Sequence, residues 1–234
     1  MKRTTLLFAI ITLALTFSVV VPAVRADITI GLPADADNGN CFPFGTAYTG
    51  EYQQVYTASA FSGPITITGL QFFNTQVSNG ATATPSGAYT ISLSTTSAGV
   101  NTLSSNFAAN IGTNNTQVFN GSISQPWAFG DTLLIPLTTP FTYSPSVGNN
   151  LLMDVYAAGT SNANGTTYFD VNGSDNSMSR VFLYNGAPGN GIGITNGYGL
   201  VTGFVAAPVP LPGALLLLGP GLVGLAAVRR RFKK

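Results

Sequence analysis

Of 234 residues only 17 are charged, 9 Lys+Arg and 8 Asp+Glu, or 7%, against about 25% in an ordinary soluble domain. With 45% hydrophobic residues, 27 Gly, 14 Pro and one Cys, the chain cannot be a disulfide framework, a coiled coil or a charge-driven disordered protein. It contains no His, which removes His-based triads, proton relays and His metal sites.

The charges are unevenly placed. Lys2, Arg3, Arg25, Arg229, Arg230, Arg231, Lys233 and Lys234 lie toward the two ends, and Arg180 is the one cation between residues 27 and 207. All eight acids, Asp27, Asp35, Asp37, Glu51, Asp131, Asp154, Asp170 and Asp175, fall in that middle stretch, which carries a net −7. A segment with one cation cannot neutralise a run of phosphates, so nucleic acid is excluded as an expected partner. The stretch has no Lys and so no phosphate-cradling G-x-x-x-x-G-K-[ST] loop.

In chain order, Lys2 and Arg3 precede an apolar run over residues 6–21, then Pro22 and Val24-Arg25-Ala26. This is the three-part layout of an export signal, residues 1–26, with cleavage by signal peptidase after Ala26. An uncut N-terminal anchor is the alternative, although a largely apolar run of 16 residues falls short of the roughly 20 that span a bilayer.

Residues 27–207 are 181 in number, enough for one domain. Asn-Gly recurs at 38–39, 79–80, 120–121, 164–165, 172–173, 185–186, 190–191 and 196–197; the pair accepts the positive φ of a hairpin turn. Between these lie alternating runs. Tyr89, Ile91 and Leu93 form an apolar face against Thr90, Ser92 and Ser94. Further strands are expected at 52–58, 65–73, 117–123, 132–137, 151–156, 167–171, 179–184 and 200–205. Within 65–73 the apolar phase changes from Ile65 and Ile67 to Leu70 and Phe72, which places a bulge near Gly69. Nine or ten strands without an amphipathic helix predict an all-β fold, a single antiparallel β-sandwich of jelly-roll type. Its solvent faces would be Ser, Thr, Asn and Gln, which accounts for the low charge and leaves glycosylation open.

Residues 209–228 carry no charge and are followed by Arg229-Arg230-Arg231-Phe232-Lys233-Lys234. As a helix, these 20 residues would reach about 30 Å, the hydrocarbon thickness. Leu215, Leu216, Leu217, Leu218 and their apolar neighbours each favour insertion by roughly 0.3 to 0.6 kcal/mol. Pro220 would kink such a helix, a defect that membranes tolerate. The basic tail of Arg229, Arg230, Arg231, Lys233 and Lys234 would stay cytoplasmic by the positive-inside rule, leaving the middle outside. Residues 208–234 are therefore expected to form a single transmembrane anchor among membrane lipids.

The motif Val209-Pro210-Leu211-Pro212-Gly213, the Leu-rich span and the Arg triplet together resemble the PEP-CTERM sorting signal of exopolysaccharide-producing Gram-negative bacteria. In that family a Pro-x-Pro motif, a span and a basic tail direct an exported protein to an exosortase, the partner the resemblance implies. The family's usual central residue is Glu, where this chain has Leu211. Cys41-Phe42-Pro43-Phe44-Gly45 with the Gln-rich run at 52–56 resembles a group of exported proteins that carry such tails, and implies no catalytic or binding residues.

For chemistry, Asp35 and Asp37, and Asp170, Asn172 and Asp175, could offer oxygens to Ca²⁺; Asp and Asn also serve turn backbones without any metal. Neither group fits an EF-hand, and no metal or cofactor is expected. Glycoside hydrolysis needs two carboxyls about 5 to 10 Å apart. Glu51 is the one Glu, and Asp131, Asp154 or Asp170 could face it, with Asp154 sharing a face with Leu152 and Tyr156. Cys41 lacks a His to activate it and is expected as a free thiol or an interchain link. Trp127, Tyr48, Tyr52, Tyr56, Tyr143, Tyr156, Tyr168, Tyr184 and Tyr198 could stack on sugars or fill a core. The reading is a non-enzymatic envelope or matrix protein, exported and then held or released by its tail. Its alternatives are an exopolysaccharide-binding module and, more remotely, a glycosidase.

Overall fold

In a computed structural model, which describes residues 27–78, 80–161, 165–186 and 192–207, Ala26–Ala207 forms one compact unit. Its strands are β1 (Ile28–Ile30), β2 (Gly39–Asn40), β3 (Thr49–Tyr56), β4 (Ile65–Phe73), β5 (Ser86–Thr96), β6 (Thr116–Ile123), β7 (Thr132–Tyr143), β8 (Asn150–Ser161), β9 (Phe169–Asn172), β10 (Met178–Tyr184), β11 (Ile194–Asn196), β12 (Gly199–Leu200) and β13 (Thr202–Ala206). The described helical structure consists of two 3-10 turns, Ala58–Ala60 and Phe107–Asn110. Among the described residues no helix is long and apolar enough to cross a membrane; the expected signal peptide and C-terminal span lie outside the described residues.

All strand pairings are antiparallel. A four-stranded sheet runs β1-β13-β4-β7, a six-stranded sheet β11-β10-β3-β8-β5-β6, and a small one β12-β9-β2. The two larger sheets share one core. Ile67, Leu70, Phe72, Leu133, Ile135, Tyr143 and Phe204 from the first cluster with Tyr52, Tyr56, Tyr89, Ile91, Leu93, Met153 and Val155 from the second. The Tyr56 and Phe204 rings meet edge-on at 5.0 Å, and the Tyr56 and Thr202 hydroxyls hydrogen-bond at 2.8 Å. The fold is all-β with antiparallel sheets, consistent with a β-sandwich.

Local sequence explains most of this. In β5 the alternation of Tyr89, Ile91 and Leu93 with Thr90, Ser92 and Ser94 puts the apolar set in the core. The bulge near Gly69 is present: the β4–β7 register shifts between Ile67 and Gly69, so that Ile65 and Ile67 before it and Leu70 and Phe72 after it all point inward. β7 runs past the expected end at 137 and includes Pro136 and Pro140. It lies at one end of its sheet order, where a missing donor faces no partner strand.

Three expectations need correction. Asn120–Gly121 makes no turn but lies inside β6, where Gly121 packs beside the Phe119 ring. Strands β1, β2 and β11, of two or three residues, are too short to show a period. The hydroxyl face of β5 is not all solvated: Ser94 and Thr96 are buried because the segment 97–115 folds back over the sheet. This strap brings Leu103 and Phe107 onto Val55, Leu152 and Val181 on the side away from the main core. The six-stranded sheet is therefore covered on both faces near β3, and seven of the eight β3 residues are buried.

Candidate functional site: a carboxyl pair beside the strap

Register sets the composition of that outer face. On β3, Glu51, Gln53 and Val55 alternate with the core residues Tyr52 and Tyr56. Across the ladder Glu51 pairs with Tyr156, Gln53 with Asp154 and Val55 with Leu152. On the other side of β8, Thr90 pairs with Tyr156, Ser92 with Asp154 and Ser94 with Leu152. The face thus grades from apolar beneath the strap to polar beyond its edge. There Glu51, Thr90, Ser92, Asp154 and Tyr156 line a cavity of about 210 Å³, room for several waters at about 30 Å³ each and below the usual range for drug-sized ligands.

Within the cavity Glu51 is 3% exposed, and Asp154 is mostly buried beside it, close enough for their side chains to hydrogen-bond. Burial, followed by the negative charge of Glu51, pushes the Asp154 carboxyl up to about 7, while the Gln53 amide favours its ionised form. Asp154 Oδ1 has no hydrogen-bond partner among the described residues. Two carboxyls in contact hold a proton between them as a unit.

The strap is tied to this row through Gln53. Asn110 Nδ2 donates to Gln53 Oε1 at 2.9 Å, and Gln53 Nε2 donates to the Phe107 carbonyl at 3.2 Å. Asn106 caps the 3-10 turn by accepting from the Ala108 amide. Downstream, Gly112 N donates to Ser94 Oγ at 3.2 Å, and Thr95 N donates to Asn114 Oδ1 at 2.8 Å. A Cβ at Gly112 would lie 1.6 Å from the Thr95 carbonyl oxygen, so the strap lands where only glycine fits.

The other candidates have structural employment. Asp170 is buried and clamps the loop after β4, accepting from Thr75 N and Thr75 Oγ1 at 2.7 Å and Gln76 N at 3.1 Å. Asp131 accepts from Ala128 N. Asp35 accepts from Gly173 N, Asn172 Oδ1 accepts from Ser174 N, and Asp175 accepts from Ser177 N. Among the described residues no group of three or more His, Cys, Asp or Glu could hold a metal ion. The aromatic residues mainly fill the interior: Trp127, Tyr48, Tyr52, Tyr56 and Tyr143 are buried, whereas Tyr184 is exposed. Burial pushes the Tyr52 and Tyr143 phenols up to about 12.

Arg180 is 3% exposed and faces the inner side, with its guanidinium 4.2 Å from the Tyr198 ring centroid, 4.7 Å from Phe182 and 5.8 Å from Tyr52. Its Nη2 donates to the Tyr198 hydroxyl, while Nε and Nη1 have no hydrogen-bond partner among the described residues. Cys41 is a free, partly buried thiol, pushed up by burial. The sorting motif Val209 to Gly213, the basic tail and the cleavage position Ala26 lie outside the described residues.

The fold and this face define an all-β protein with a recess that holds a carboxyl pair. Compared with known proteins, the chain matches no family model, and no curated protein matches it.

Proposed function

We propose that this is a non-enzymatic cell-envelope or extracellular-matrix protein, exported by residues 1–26 and held or sorted by residues 208–234. The observation that carries the reading is the order of the tail: Pro-x-Pro at 210–212, an uncharged span to 228, and five cations in the last six residues. Such a span with such a plug stops transfer and keeps the tail on the cytoplasmic side. The compact unit suits this use. Its first and last strands, β1 and β13, pair with each other, and Asp27 accepts the Ala206 amide at 2.9 Å. Cleavage after Ala26 would leave Asp27 as the first residue of the body while the opposite end continues toward the tail.

The finer architecture belongs to the same reading. The orders β1-β13-β4-β7 and β11-β10-β3-β8-β5-β6 support a jelly roll, with the small sheet built from β2, between β1 and β3, and from β9 and β12, between β8 and β13. Jelly rolls host unrelated functions, so the fold supports display of a stable body and names no ligand. Signal peptidase and an exosortase-type enzyme are the proposed processing partners.

The test is intact-mass measurement and fractionation of the protein from an exosortase-containing host. The expected product begins at Asp27 and lies in the membrane fraction, or is released with its tail shortened. Full-length protein in the cytosol with residues 1–26 attached would overturn the reading.

A further inference from the structure

Two of the strap's polar ties, from Asn110 and the Phe107 carbonyl, reach the row that holds the carboxyl pair, while others go to Ser94, Thr95, Asn150, Ser179 and Gly193. Gln53 is fully buried, pairs in register with Asp154, and bonds both Asn110 and the Phe107 carbonyl of the strap. Asn110 in turn closes the strap on itself, donating to Ser104 O at 2.9 Å and accepting from Ser104 N at 2.8 Å. One side-chain amide therefore separates a buried carboxyl lacking a donor at Oδ1 from the segment covering the sheet.

We propose that the Glu51–Asp154 pair and Gln53 form a proton-dependent latch, which closes the strap over the sheet while the pair holds a proton and loosens it when that proton is lost to solvent. The groups that face the pair make this possible. β3 contributes Glu51 itself, and β8 contributes the Tyr156 phenol. β5 offers only the Thr90 and Ser92 hydroxyls, and the strap offers the Asn110 amide. The Tyr48 hydroxyl bonds the Glu51 carbonyl rather than its carboxylate. Arg180, the one cation of residues 27–207, stacks on Tyr52 on the opposite face of β3. When the proton leaves, two like charges share a poorly hydrated cavity, and a donor already in contact with the Asp154 carboxyl that can turn further toward it is the Gln53 amide. Turning it breaks the bond to Phe107 and misaligns the bond from Asn110. Around 107–110 the apolar contacts of Leu103 and Phe107 then hold the strap to the sheet, and its remaining polar ties lie to either side, at Ser179 and at Ser94 and Thr95.

The latch is tested by amide hydrogen exchange on the full chain in detergent, from about pH 5 to about pH 8 and corrected for intrinsic exchange rates. In the wild type, protection of amides 104–111 should fall by about tenfold or more across that range, the factor that goes with one unit of proton affinity. Amides of β4 and β13 serve as the internal reference and should hold. In Asp154→Asn and in Glu51→Gln the strap should lose its pH response while the reference strands stay protected. A wild-type strap that follows the reference strands at every pH overturns the latch, and so does a folded variant of either kind that keeps the full response. Because the wild-type comparison is internal, it decides the matter even if one variant fails to fold.

Discussion

At Asp154 a carboxyl in a recess with another carboxyl links stability to pH in the unusual direction. Its folded-state pKa is raised from 3.8 to about 7, so the native state binds the proton more tightly than the unfolded chain. The resulting stabilisation is fully present below about pH 4, falls between about pH 4 and pH 7, and is gone above. Asp154→Asn should therefore match the wild type near pH 4 and exceed it at pH 8 by on the order of 2 to 4 kcal/mol. Thermal melts of both proteins across that range check this. The difference between the two curves must be read, because other carboxylates give the wild type the opposite slope. Cys41 behaves more simply. Burial raises its thiol, so a thiol reagent at pH 8 should label the native protein about tenfold or more slowly than the urea-unfolded chain.

Among the elements, the strap depends on a few contacts. Phe107 is buried among Val55, Leu103, Leu152 and Val181, and Phe107→Ala should cost about 3 kcal/mol, the lower end for such truncations because the surrounding cluster is small. Gly112→Ala sets a methyl against the Thr95 carbonyl, which the backbone can relieve only by moving, at about 1 to 3 kcal/mol. Denaturant melts check both, and exchange at 103–112 should show the loss concentrated in the strap. The loop after β4 depends on one carboxylate. Asp170→Ala removes three hydrogen bonds to Thr75 and Gln76 and should cost about 1.5 to 3 kcal/mol.

For the whole molecule, closure joins the ends of the compact unit. Among the described strands β1 pairs only with β13, and Asp27 adds a bond to Ala206. Deleting residues 27–30 leaves one side of β13 unpaired, and such an edge invites association between chains. The truncated body should elute as higher oligomers in size-exclusion chromatography where the untrimmed body stays monomeric. Under the export reading the body meets the pH of its surroundings directly, so the Asp154 proton would report an outside condition to the strap.

Alternation and turn chemistry already specified much of the framework. The two faces of β5, the bulge at Gly69 and the phase of Asp154 opposite Met153 and Val155 follow from the side-chain period of a strand. Chain polarity at the termini, and with it the expected leader and tail, is likewise a property of residues adjacent in sequence. The choice of Asp154 over Asp131 and Asp170 as the neighbour of Glu51 was not legible, because it depends on the register of β3 against β8 across a long separation. Nor was the burial of Ser94 and Thr96, since their cover comes from a strap with little periodicity of its own. Local pattern determines which face of a strand a side chain occupies, whereas long-range packing decides what lies over that face and whether a polar group there meets water, a neighbour of like charge, or another part of the chain.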